Sequence, residues 1–153
     1  MTSQPTNNDV ERLLDKLDGS GSDEEWSAVV KLRSLLGDSM PDRLLALYHQ
    51  QTKAAARSSY VYHSVRYARK NDAAVTLALL AVRDKSKVVR YRACMLLACS
   101  QRKALLSTLR ELLPNVAADT KADLLAAIDA IESQKQDYFV DRDHSGLTTL
   151  TVC

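Results

Sequence analysis

The chain has 153 residues, 46% of them hydrophobic and 26% charged, with four glycines and three prolines. That is enough to bury the core of one domain, too apolar for a disordered chain, and too poor in turn formers to favour sheet. The net charge of +2 singles out neither nucleic acid nor a membrane surface, but it is unevenly spread. Residues 1–37 carry four basic and seven acidic side chains, residues 38–100 eleven and four, and residues 101–153 six and eight, so a basic middle lies between acidic ends.

Three cysteines, Cys94, Cys99 and Cys153, make an odd set with no C-x-x-C spacing, so neither a disulfide framework nor a zinc site is expected. Cys94 and Cys99 sit in the apolar run 93–99 and read as small buried hydrophobes. Residues 1–8 are polar, and no apolar run approaches the roughly 18 residues of a membrane span. The expectation is a soluble, unsecreted, cytoplasmic chain.

The first helix is predicted from Val10, Leu13, Leu14 and Leu17, which recur at helical spacing before Asp18-Gly19-Ser20-Gly21. Ser22 and Glu25 then predict a capping box, with the Glu25 carboxylate reaching back to the cap amide, and a second helix running to a left-handed C′ glycine at Gly37. A third begins near Pro41 and a fourth spans about 53–70. Asp72 is expected to cap a fifth helix over 72–83, followed by a short turn and a sixth over 87–100. A seventh over 102–113 is closed by Pro114, and Asp119 or Thr120 caps an eighth that ends near 134. Four pairs starting near 9, 41, 72 and 102 repeat every roughly 31 residues, the mark of a helical solenoid.

Within residues 72–97, Asp84 in the inter-helix turn, Val89-Arg90 opening the next helix and the small Ala93 resemble a HEAT repeat. In that family the Asp and Arg form structural ladders between repeats. A shift of 33 residues places Ala56-Arg57 on Val89-Arg90, and the resemblance covers residues 40–133. After the eighth helix, Tyr138-Phe139-Val140 and 147–152 are β-prone runs flanking a polar turn that ends in Gly146, which predicts a hairpin. The expected fold is therefore all-α: a HEAT-like α-α solenoid of about four helix pairs over 1–134, with a small C-terminal β-hairpin at 135–153 packed on the last repeat.

Asp141, Asp143 and His144 lack the alternation and terminal Glu of a calcium loop. They read as a turn in which Asp side chains cap backbone amides and Arg142 pairs with one of them. No phosphate loop, nucleophile elbow or zinc-protease motif occurs, and neither metal nor cofactor is expected. In the basic middle, Tyr60, His63 and Tyr67 share one face of the fourth helix, while Tyr62, Arg66 and Arg69 share another. Tyr91 and Arg92 follow on the sixth. Tyr and Arg dominate interface hot spots, although the same tyrosines also suit a core between repeats.

The segment 138–146 also resembles the ending of small bacterial HEAT-type proteins found beside secreted toxins. Together these readings imply a protein-binding module, an immunity protein that neutralises a toxin with an acidic surface, with Tyr60, Tyr62, His63, Arg66, Tyr67, Arg69, Tyr91 and Arg92 as the binding set. The alternative is a nucleic-acid binder similar to HEAT-like DNA glycosylases. Those enzymes are longer and place aromatics in a basic groove, whereas the single Trp26 here lies in the acidic first pair. The chromophore lyases among HEAT-like proteins are a third possibility that no residue specifically supports.

Overall fold

Ser22 ends the glycine-rich loop and accepts the Glu25 amide at 3.1 Å, which starts the second helix where a cap was expected. The Glu25 carboxylate does not return to the cap amide. It is buried and takes the amides of Gly19 at 2.6 Å and Gly21 at 2.9 Å, together with the Ser59 hydroxyl at 2.9 Å. The predicted reciprocal box is thus replaced by a clamp that pins the loop onto the fourth helix. Gly19 permits it: at φ +79°, a Cβ there would stand 2.1 Å from the Ala55 carbonyl oxygen.

The computed structural model describes residues 6–153; residues 1–5 of the polar N-terminal stretch read above lie outside the described residues. Within it run α1 (Asn7–Leu14), α2 (Asp23–Leu36), α3 (Met40–Tyr48), α4 (Ala54–Ser64), α5 (Asp72–Ala81), α6 (Lys87–Ser100), α7 (Leu106–Leu112) and α8 (Ala118–Glu132). The described chain is all-helical, and none of its helices is long and apolar enough to cross a membrane. Several ends differ from expectation. Asn71, not Asp72, caps α5 through the Ala74 amide at 2.9 Å. Ala117 precedes α8 with no side-chain cap, because Asp119 and Thr120 face Arg90 instead. The Ser64 hydroxyl bonds back to the Tyr60 carbonyl at 2.8 Å, and α4 stops there in a 3-10 turn, Val65–Tyr67. Gly37 has positive φ as expected, but with ψ −135° it leads directly into another 3-10 turn rather than resting in the left-handed helical region.

The centre of the core is α6, whose residues 93–100 are all buried along with Val89. A helix apolar on every side must be surrounded. It packs on α4, α5 and α8, while α3 lies on α4 and α5, and α1 on α2. Cys94 is buried as expected, and burial pushes its thiol up to about 12.

Charged side chains tie successive pairs together with a recurring geometry. Arg57 pairs with Asp84 through two nitrogens, at 2.8 and 3.0 Å, and donates backward to the carbonyls of Gln51 and Thr52. Arg90, 33 residues on, reaches Asp119 and Thr120 and donates backward to the carbonyls of Asp84 and Lys85. A second series joins residues 33 positions apart: Asn71 to the Asp38 carbonyl, Arg102 to that of Arg69, and Gln134 to that of Gln101. Burial alone would raise the Asp84 carboxyl, but Arg57, the Tyr48 hydroxyl at 2.6 Å and the Ser86 amide hold it below the ordinary carboxylate range.

The C-terminal segment departs from the sequence expectation. No strand forms among the described residues, so the predicted β-hairpin is absent. Gln136–Phe139 is a 3-10 turn, and Phe139, fully buried, carries the first β-prone run into the core beneath Tyr91. The Leu150 amide goes to the Asp137 carboxylate at 2.7 Å rather than to a partner strand. An isolated hairpin is marginal in water, and these anchors outcompete it.

The cysteine expectation is also corrected: Cys99 and Cys153 form a disulfide, with Cα atoms 5.5 Å apart. Fold proximity, invisible in an odd count of thiols, creates the pair. Asp141 does cap the turn, accepting the Ser145 and Gly146 amides, but Arg142 pairs with Asp123 on α8 at 2.9 Å rather than with a neighbouring Asp. His144 stacks on Tyr138 and meets Asp129 at 2.6 Å.

Candidate basic and aromatic binding face

The two faces predicted for the fourth helix meet opposite environments, although α4 ends at Ser64 and Arg66, Tyr67 and Arg69 lie beyond it. Tyr60 is buried, its hydroxyl accepting from Gln51 at 2.8 Å. His63 is buried between the rings of Trp26 and Tyr62, at 5.2 and 5.1 Å, with its Nδ1 unpartnered. Burial lowers its pKa to about 4, partly opposed by Glu25, so it is neutral near pH 7. Tyr67 is half-buried, with its hydroxyl 3.9 Å from the Met40 sulfur. Tyr60 and His63 are thus packed in the interior, while Tyr67 keeps part of its surface open.

On the other face Tyr62 is half-buried and Arg66 and Arg69 are exposed. Arg92 of α6 lies over the Tyr62 ring, 4.9 Å from its centroid, and Trp26 of α2 meets the same ring edge-on at 6.2 Å. Trp26 itself is 42% exposed. Tyr91 is not part of this group: it is directed toward the C-terminal segment, its ring 5.4 Å from that of Phe139.

Two adjoining grooves run along this face, of about 630 and 500 Å³. Both are lined by Arg33, Arg66 and Cys153; Tyr67, Arg69 and Lys70 continue the first, and Trp26, Tyr62 and Val152 the second. The disulfide between Cys99 and Cys153 thus holds the tail as a wall of the groove. Among the described residues no carboxylate lies within ion-pairing distance of Arg33, Arg66 or Arg92, whereas Arg43, Arg57, Arg90, Arg102, Arg110 and Arg142 each have one. Arg12, Arg69 and Arg83 likewise have none, and of these Arg69 lies on the same face.

Trp26 and Arg33 are the contributors that sequence reasoning missed. With Val30 they recur at i, i+4 and i+7 on α2, and Val30 is 60% exposed, so an apolar and cationic stripe on an otherwise acidic helix was the available signal. Among the described residues no group of three or more His, Cys, Asp or Glu side chains gathers to hold a metal ion. Comparison with protein families, with curated proteins and with solved structures finds no match for this chain.

Proposed function

We propose that this chain is a HEAT-like helical-repeat protein that binds another protein without catalysis, as an immunity protein that neutralises a toxin does, through the face formed by Trp26, Tyr62, Arg66 and Arg92. The observation that carries the reading is the contrast between two kinds of arginine. Arg57 and Arg90 have internal carboxylates, while Arg66 and Arg92 have none and surround two partly exposed aromatic rings. Uncompensated guanidinium groups beside large amphipathic rings suit an acidic protein surface: the charges steer the encounter and the rings supply buried area. The repeating Arg–Asp geometry supports the HEAT-like part of the reading.

A cytoplasmic site of action belongs to the same proposal. The Cys99–Cys153 bond is the observation that weighs against it, since reducing compartments keep thiols free.

The test is affinity capture from the native source, with and without nuclease, using wild-type chain and Arg66→Glu. The reading predicts one stoichiometric protein that resists nuclease and is lost in the variant. Heterogeneous capture that nuclease abolishes would replace it with nucleic-acid binding.

A further inference from the structure

Arg33 and Arg66 line both halves of the groove, and no internal carboxylate separates them. Burial and the nearby Arg66 charge both lower the proton affinity of Arg33, and its Nε is buried without an acceptor. Like charges brought together in a partly desolvated site repel, and an oxyanion between them removes the repulsion. Arg69 and Lys70 add charge to the same wall, where Asp38 is the acidic side chain.

We propose that this groove receives an extended acidic peptide segment, one Glu or Asp carboxylate seated between Arg33 and Arg66. The inference rests on the protein-binding reading above and names the chemistry of the partner at the groove. Guanidinium groups pair with carboxylates through two parallel hydrogen bonds, and the apolar lining of Val65, Val152 and the disulfide suits the methylenes of a glutamate. A nucleic-acid strand fits less well. Single-strand binding draws much of its energy from bases stacking on open aromatic faces, yet Arg92 already covers a face of Tyr62, and Trp26 and His63 meet its ring in T-shaped contacts.

Trp26 is the single tryptophan of the chain and lines the groove, so its fluorescence reports occupancy without a label. Folded full-length chain is titrated with an acetylated, amidated hexaglutamate peptide, with hexaglutamine and with a short oligothymidylate. Hexaglutamate is expected to give a saturable change and hexaglutamine none. Arg33→Gln and Arg66→Gln should each weaken binding about tenfold or more, about 1.4 kcal/mol or more. Because Arg33 is partly buried, the exposed Arg66→Gln keeps the test valid should Arg33→Gln misfold.

The absence of a saturable hexaglutamate signal, wild-type affinity in Arg66→Gln, or tighter binding of the oligothymidylate would each overturn the proposal. Should hexaglutamate fail while partner capture still depends on Arg66, the groove assignment falls and the protein-binding reading stands. Failure of both removes both.

Discussion

Arg57 and Arg90 each occupy the fourth position of their helices, and from there one guanidinium reaches backward to two turn carbonyls and forward to a carboxylate of the next pair. Arg92, two residues beyond Arg90, lies instead over an aromatic ring at the surface. Residue type does not separate these roles; neighbours do. The same holds for histidine. His63 is kept neutral by burial, with a pKa of about 4 against an ordinary 6.5. Between those values the unfolded chain binds a proton that the folded chain refuses, so the stability contribution is complete above pH 6.5 and is lost as pH falls toward 4. The loss is on the order of 3 kcal/mol at 1.36 kcal/mol per pKa unit. Urea unfolding at pH 6.5 and pH 4 should show it in the wild type, and His63→Leu should remove most of the difference. An unchanged pH dependence in that variant would show that another group is responsible.

At the scale of elements, much was legible. Helix α6 begins and ends where the short turn before it and its apolar run predict, at Lys87 and Ser100, and in the structure Ser86 caps it, so local capping and periodicity agree with burial there. The Asp84 and Arg90 signals led to the contacts between successive helix pairs. Spacing could not tell which of Asn71 and Asp72 caps α5, since both side chains suit the position. The C-terminal segment was misread because its β-prone residues obey tertiary anchors: Phe139 in the core, Leu150 on Asp137, and Cys153 on Cys99. That disulfide spans 54 residues, and closing such a loop contributes roughly 4 kcal/mol in the chain-entropy account. Reduction, or Cys153→Ser, is therefore expected to lower the melting temperature by roughly 10 °C with helical circular dichroism preserved. An unchanged melting temperature on reduction would mean that the bond contributes nothing to the fold.

Across the whole molecule, a basic middle between acidic ends becomes two different things in three dimensions. Part of the charge is consumed between successive helix pairs, where Asp84 and Asp119 answer Arg57 and Arg90. Arg66, Arg69, Lys70 and Arg92 instead lie around Trp26 and along the groove, where the second helix, placed by sequence in the acidic end, supplies Trp26 and Arg33. The candidate face was thus half legible. Helical spacing named Tyr62, Arg66 and Arg92 but could not bring α2 across to meet them, nor show that Tyr60 and His63 are internal. The two populations of arginine make opposite demands on the same pair of assays, melting temperature and partner retention, for Arg66→Glu and Arg90→Ala side by side. Arg66→Glu is expected to melt with the wild type and to lose its partner. Arg90→Ala, which removes the bonds to Thr120 and to two turn carbonyls as well as an exposed ion pair, is expected to lose roughly 1–3 kcal/mol of stability and to retain its partner while folded. Wild-type partner retention by Arg66→Glu would contradict the account at its centre.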